Sequence, residues 1–304
     1  MSRRKALVTG IKGFTGRYLA AELEAHGWEV WGVGAHPDAA DPHYRRADLA
    51  DQAALESAVA EVQPDAVVHL AAVAFVGHGN ADDFYRVNLL GTRHLLAALA
   101  TLKKSPESVL LASSANIYGN AQGGVLTEAA PPNPANDYAV SKLAMEYVAR
   151  LFNDRLPITI VRPFNYTGVG QSPDFLLPKI VAHFQRRDAR IELGNLDVWR
   201  DFSDVRSVAE AYRRLLEAKP AGSVFNICSG RTYSLRDVID MAGELSGHKL
   251  KIVVNPAFVR ANEVRSLGGS QEALVDCIGP WAPPPLAKTI DWMLNAPKNG
   301  RDRV

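Results

Sequence analysis

The chain has 304 residues, 47% of them hydrophobic and 22% charged, with 34 Lys and Arg against 33 Asp and Glu. That length supports one large domain or two joined ones whose core needs no disulfide and no metal. A formal net charge of +1 excludes the broad positive field that nucleic acid or an anionic membrane would require. Cys228 and Cys277 lack CxxC spacing, which points to a reducing compartment and to buried, unreactive thiols. Charge enters at Arg3, Arg4 and Lys5 directly before a short apolar run, so no signal-peptide core is expected. The longest apolar stretch, residues 66–76 with His69 inside it, is too short to span a bilayer. The expectation is a soluble, cytoplasmic protein with no metal site.

In chain order, a β-branched run at residues 6–9 predicts a strand and 14–26 a helix. Strand 29–33, helix 53–62 and the continuous apolar strand 66–70 follow. A long helix over 82–100, strand 109–113, helix 138–153 and strand 159–162 complete the first half. Fully apolar strands alternating with amphipathic helices imply an α/β fold with a doubly wound parallel sheet, covered on both faces. Beyond Gly168, prolines at 173, 178, 220, 256, 280 and 283–285 break the chain into shorter helices and isolated strands such as 224–227 and 251–254. They predict a second, smaller α/β lobe. Residues 1–167, with 198–222 returning to it, would form the first lobe, 168–197 and 223–296 the second, and 297–304 a flexible tail.

Ligands of such sheets bind outside the carboxyl ends of the strands. Gly10, Gly13 and Gly16 form G-x-x-G-x-x-G between the first strand and the first helix. Glycine there permits a tight turn and lets the backbone N–H groups around Phe14 and Thr15 approach a pyrophosphate, the Rossmann mode of dinucleotide binding. The second strand runs out through Gly34 and Ala35 to His36 with no carboxylate to hold a ribose hydroxyl. A 2′-phosphate would not be repelled there, and His36, Arg45 or Arg46 could neutralise it, which favours NADP(H) over NAD(H). Asp48, before Leu49, suits an adenine amino group or simply starts a helix.

Tyr138 and Lys142 stand four apart at a predicted helix start, with Asn136 or Asp137 as its cap, and so share one helical face. An ammonium beside a phenol lowers its pKa from about 10 towards neutrality and makes tyrosine a usable acid or base. The spacing arises often by chance, but of nine tyrosines only Tyr138 has it. Ser114, at a strand end, can hydrogen-bond a substrate oxygen or satisfy a loop backbone.

In combination, T-G-I-K-G-F-T-G from Thr9, H-L-A-A from His69, V-N-L-L-G-T from Val87, S-S-A-N-I-Y-G from Ser113, Y-A-V-S-K from Tyr138 and R-P-F-N-Y-T-G from Arg162 resemble the extended short-chain dehydrogenase/reductases. Within them the likeness is to the NAD-dependent epimerase/dehydratase group acting on nucleotide sugars. G-N-L-D-V-W-R-D-F-S-D-V from Gly194 and R-A-N-E-V from Arg260 resemble the branch acting on GDP-mannose derivatives. The resemblance implies a catalytic triad of Ser114, Tyr138 and Lys142, with Lys142 also holding the nicotinamide ribose. It implies cofactor contacts from Gly10, Gly13, Phe14, Thr15, Gly16, His36, Asp48, Leu49, Leu70, Ala71, Ala72, Asn88 and Arg162. Asn165 would contact the substrate pyrophosphate. Arg200 and Arg260 would grip the nucleotide diphosphate, for which a guanidinium offers a planar fork of donors.

The family's 4,6-dehydratases carry a glutamate two residues before the tyrosine of S-x-x-x-Y-G, where this chain has Asn116. A carboxamide cannot exchange protons near neutral pH, so elimination of water would lack its acid and base. Reduction needs less, and the expected reaction is hydride transfer from NAD(P)H to C4 of a GDP-4-keto-6-deoxy sugar, with Asn116 lining the substrate. A nucleotide-sugar 4-epimerase or GDP-mannose 4,6-dehydratase with tightly held NAD(P), and a non-catalytic NADP sensor, are the competing readings. Relatives dimerise through the helices corresponding to residues 84–102 and 138–152. Leu95, Leu96, Leu99, Leu143, Met145 and Val148 could serve a homodimer or pack on the sheet.

Overall fold

The computed structural model describes residues 3–74, 80–121, 124–258 and 264–297. In chain order the first half comprises β1 (Lys5–Thr9), α1 (Phe14–Ala25), β2 (Glu29–Gly34), β3 (Tyr44–Arg46), α2 (Gln52–Val62) and β4 (Ala66–His69). A π-helix (Phe84–Gly91) then runs directly into α3 (Thr92–Leu99), followed by β5 (Ser108–Ala112), a 3-10 turn (Ala115–Tyr118), α4 (Asp137–Arg150) and β6 (Ile158–Pro163). The second half comprises β7 (Asn165–Thr167), α5 (Leu176–Arg186), β8 (Arg190–Leu193), β9 (Trp199–Asp204), α6 (Val205–Ala218) and β10 (Val224–Ile227). It ends with β11 (Thr232–Ser234), α7 (Leu235–Ser246), β12 (Lys251–Val254), β13 (Ser266–Leu267), α8 (Glu272–Ile278) and α9 (Leu286–Leu294).

Seven strands form one sheet in the order β10-β6-β5-β4-β1-β2-β3, with every neighbouring pair parallel. Alternate residues of its strands go to opposite faces. Ala6, Val8 and Leu110 pack with Leu19 and Leu23 of α1 and Tyr212 and Leu215 of α6. Leu7, Val67, Val109 and Leu111 pack with Leu95 and Leu99 of α3 and Met145 of α4. Each leucine buried in these layers contributes about 1.5–3 kcal/mol. The strand order reverses at β1, between β4 on one side and β2 on the other, which opens a cleft outside their carboxyl ends.

Two features differ from the sequence expectation. Strand Val224–Ile227, assigned to the second lobe, pairs with β6 at the edge of the main sheet, where Phe225 and Ile227 join the α1/α6 core. Its apolar sequence is satisfied there, and α8 packs against it, burying Leu274 in the same core. The long helix expected over 82–100 begins as a π-helix, whose wider turn is often found near functional sites. The tail expected at 297–304 lies outside the described residues beyond 297.

A separate core holds Leu177, Ile180 and Phe184 of α5, Ile239 of α7 and Ile290 of α9. It lies beside the parallel pair β8–β12 and the small sheet in which β9 pairs with β7, β11 and β13.

Candidate active site

The glycine turn lies at the carboxyl end of β1, at the strand-order reversal. Gly10 has φ +70°, and a Cβ there would stand 2.9 Å from the Ala71 nitrogen. A Cβ at Gly16 would stand 2.3 Å from the Gly10 carbonyl oxygen. Only glycine fits either position. Helix α1 starts from Gly13 with no side chain capping it, so the first-turn donors of Phe14, Thr15 and Gly16 are directed to an acceptor from outside. This cradle, which side chains would fill, fits the diphosphate of a dinucleotide.

The floor beside the turn is fixed by the end of β1. Thr9 Oγ1 accepts the backbone N–H groups of Leu70 and Ala71 at 3.2 and 3.1 Å and pairs with His69 Nδ1 at 2.7 Å. The other His69 nitrogen pairs with Thr92 Oγ1 at 2.9 Å. Burial, with a further contribution from the charge on Lys142, pushes His69 down to about 3, so it is a neutral bracket. Asn88, expected to face the cofactor, is buried in the π-helix with its carboxamide occupied. Its oxygen accepts Val73 N–H at 2.9 Å, and its nitrogen donates to Val73 O and Ser141 Oγ, each at 3.1 Å. It shapes the segment from Leu70 through Ala72 to Val73 and ties it to α4.

At the far end of the cleft, His36 is exposed after β2, and Arg46 Nε donates to the neighbouring Ala35 carbonyl at 3.2 Å. Arg45 turns away, pairing with Glu61 at 2.7 Å and lying over the Trp31 ring. Lys12, which sequence reasoning passed over, sits above the Tyr44 ring and pairs with Asp38 at 2.8 Å. Asp48 is exposed and accepts Ala50 N–H at 2.9 Å. Leu49 is buried with its carbonyl held by His94.

Across the cleft, α4 begins at Asn136, whose side chain accepts Ala139 N–H at 2.9 Å. Tyr138 and Lys142 stand one turn apart and are both buried. Burial pushes the Tyr138 phenol up to about 12, opposed by the neighbouring Ser114 side chain. Lys142 Nζ donates to the Ala112 carbonyl at 2.8 Å; burial pushes it down to about 8, opposed by Glu146. The expected drop of the phenol towards neutrality is therefore not found. Desolvation decides the sign, and the Tyr138 phenol keeps its proton in the neutral range.

Asn116 follows on the turn after Ser114, half-buried, with its N–H on Ser114 Oγ at 3.1 Å. Asn165 opens β7, half-buried, directly before Tyr166. Sequence reasoning missed Tyr166 even though it lies in the R-P-F-N-Y-T-G run. Its ring stacks on Phe14 at 6.1 Å between centroids, and its hydroxyl meets Thr15 Oγ1 at 2.8 Å, so β7 reaches over the glycine turn.

One arginine departs from expectation. Arg162 makes no approach to the cofactor turn: its guanidinium is buried against Glu146, Tyr118 and the Glu128 carbonyl. Arg200 donates to the carbonyls of Trp199 at 2.8 Å and Arg265 at 3.2 Å, and to that of Val264, and so braces the 264–265 segment. Arg260 lies outside the described residues.

A glycine cradle at the strand-order reversal, with a buried Ser, Tyr and Lys across the cleft, defines an oxidoreductase site of the short-chain dehydrogenase type. The chain belongs to the NAD dependent epimerase/dehydratase family, whose model matches residues 6–228. It is 36% identical over 90% of its length to GDP-6-deoxy-D-talose 4-dehydrogenase of Aggregatibacter actinomycetemcomitans, covering 91% of that protein. It is 36% identical over 92% of its length to GDP-6-deoxy-D-mannose reductase of Pseudomonas aeruginosa, covering 92% of that protein. Among solved structures, one from Burkholderia cenocepacia J2315, of a protein proposed to be an epimerase, matches with TM-score 0.90 and 54% identity over 97% of each chain. RMD from Pseudomonas aeruginosa, complexed with NADPH, matches with TM-score 0.84 and 33% identity over 96% of each chain.

Proposed function

We propose that this protein is a nucleotide-sugar reductase that takes hydride from NAD(P)H, preferentially NADPH, to C4 of a GDP-linked 4-keto-6-deoxy sugar. The carrying observation is Asn116 beside an intact Ser114, Tyr138 and Lys142. The site has a proton donor for an alkoxide and, at that position, no carboxylate with which to eliminate water.

The nicotinamide, when bound, supplies the hydride. The Ser114 hydroxyl holds the C4 oxygen, and Tyr138 transfers its phenolic proton to that oxygen as negative charge develops there. One hydride and one proton convert the ketone to an alcohol. The phenolate left behind is stabilised by the Lys142 ammonium until solvent restores the proton. The pKa of about 12 for Tyr138 suits a group that must arrive protonated, as reduction demands. Asn165, Arg200 and Arg260 are the candidates to orient the nucleotide diphosphate, and the basic rim of His36, Arg46 and Lys12 supports a 2′-phosphate. The names of the GDP-6-deoxy-sugar relatives support the GDP assignment.

The protein would act in the cytoplasm as a homodimer. Leu95, Leu96, Leu99 and Met145 are buried in the sheet core and cannot serve an interface. Leu90 at 48% exposure, Val140 at 38%, Tyr147 at 55% and Leu151 at 71% form the apolar strip along the π-helix and α4 that a second copy would cover. Among the described residues no helix is long and apolar enough to cross a membrane.

The test offers GDP-, dTDP- and UDP-linked 4-keto-6-deoxy sugars with NADPH or NADH and follows the reduced-nicotinamide absorbance. Consumption with the GDP sugar is expected. No consumption with any of them removes the reading, and tightly bound NAD with sugar interconversion but no net oxidation replaces it with 4-epimerisation.

A further inference from the structure

Beneath the triad lies a polar network that the proposed reaction does not use. Glu146 follows Lys142 by four residues on α4, a spacing that stacks the two side chains on one face, and it is fully buried. Its Oε1 accepts Ser113 Oγ at 2.5 Å and Arg162 Nε at 3.0 Å, and its Oε2 accepts Arg162 Nη2 at 2.7 Å. Arg162 Nη1 then donates to the Tyr118 hydroxyl at 2.9 Å and to the Glu128 carbonyl at 3.0 Å. Tyr118 donates to Asn226 Oδ1 at 2.7 Å, and Asn226 donates from its backbone to Glu128 Oε1 at 2.7 Å and from its side chain to the Leu126 carbonyl at 3.1 Å. The network thus joins α4 to the ends of β5 and β6, to β10 and to the segment around residues 118–128.

A buried ion pair gives no stability of its own that well-packed apolar residues could not match, so its presence here calls for another account. Position supplies one. Ser113 directly precedes Ser114, and Glu146 stands one turn beyond Lys142, so one carboxylate grips the backbone neighbour of one catalytic residue and the helical neighbour of another. The described charged and titratable groups that bear on Lys142 are the neutral His69 from β4 and Glu146 from α4 itself.

We propose that Glu146 is a positioning residue: by receiving Ser113 and Arg162 on one carboxylate it locks the end of β5 to α4 and holds Ser114 and Lys142 in register with Tyr138. This rests on the assignment of those three as the reactive set and not on the identity of the sugar. Its negative charge also favours the ammonium form of Lys142 against the burial that pulls it down to about 8.

The variants Glu146→Gln, which keeps the shape and loses the charge, and Ser113→Ala, which keeps the charge and loses one bond, separate the two effects. NADPH affinity is measured by its fluorescence across pH, together with kcat and KM for reduction. In the native chain, NADPH binding should weaken as pH rises through about 8. In Glu146→Gln that midpoint should move acidward by about one pH unit, the size expected when a close opposite charge is removed, and kcat should fall. In Ser113→Ala the midpoint should stay and kcat should fall severalfold at unchanged KM. A folded Glu146→Gln with the native midpoint overturns the proposal, as does Ser113→Ala with native kcat. If Glu146→Gln does not fold, the Ser113→Ala result decides alone. The binding arm requires no sugar, so a wrong sugar assignment leaves it readable.

Discussion

A phenol buried beside a hydroxyl holds its proton more firmly than one in water, and Tyr138, pushed up to about 12, is a donor throughout the neutral range. Tyr138→Phe should therefore lower reduction by about 10²- to 10⁴-fold, the usual worth of a positioned acid. NADPH affinity should stay within a few-fold by fluorescence titration, whereas equal loss of both would remove the acid role. On the proposed mechanism Lys142 sets the alkaline limit. Its ammonium, which supports the developing phenolate, is present below about 8 and is lost as pH rises through it, so kcat for reduction should fall on that side. A rate that climbs through this range would contradict the assignment. The nearness of Ser114, Tyr138 and Lys142 was legible because Y-x-x-x-K and a serine at a strand end have fixed geometric consequences. Arg162 was not, because nothing local distinguishes a guanidinium facing a phosphate from one facing Glu146 across the sheet. Asn88 misled in the same way: its neighbours in sequence do not announce Val73 and Ser141 as its partners.

At the scale of elements, the approach of α1 to β1 depends on the missing side chain at Gly16. Gly16→Ala places a carbon 2.3 Å from the Gly10 carbonyl, and relieving that overlap should cost about 1–3 kcal/mol and weaken NADPH binding at least tenfold. A melting temperature and NADPH affinity both equal to the native values would refute the close-packed cradle. The π-helix acts through Asn88. Asn88→Ala would leave the part-buried Val73 N–H without its acceptor, at a cost of about 1 kcal/mol, and raise KM for the cofactor more than it lowers kcat. The strands β1, β2, β4, β5 and β6 and helices α1, α2 and α4 were readable in sequence to within a few residues, because their apolar periods are strong and Asp51 and Asn136 cap α2 and α4 in the usual way. The π-register was not, since a helix of either kind shows a similar apolar spacing over two turns. Strand Val224–Ile227 was recognised as a strand but placed in the wrong lobe, because pairing with β6 is a long-range choice that local pattern does not encode.

For the whole molecule, near-neutral charge means that two diphosphate-bearing ligands would be held by local donors. On the proposed reading those would be the α1 terminus and the rim of Lys12, His36 and Arg46, with Arg200 and Arg260 for the substrate. The apolar strip on the π-helix and α4 belongs to this scale too. Replacing Tyr147 and Leu151 together by glutamate should convert a dimer to a monomer in sedimentation velocity with the far-UV spectrum unchanged, and a native chain that sediments as a monomer would remove the proposed interface. The central claim is hydride delivery to C4, and it is tested most directly with GDP-4-keto-6-deoxymannose and NADPH deuterated at its transferable C4 position. The account predicts a GDP-6-deoxyhexose carrying deuterium at C4, formed in step with oxidised cofactor. Unlabelled sugar with the cofactor still reduced, or conversion of GDP-mannose itself to the 4-keto sugar, would contradict it.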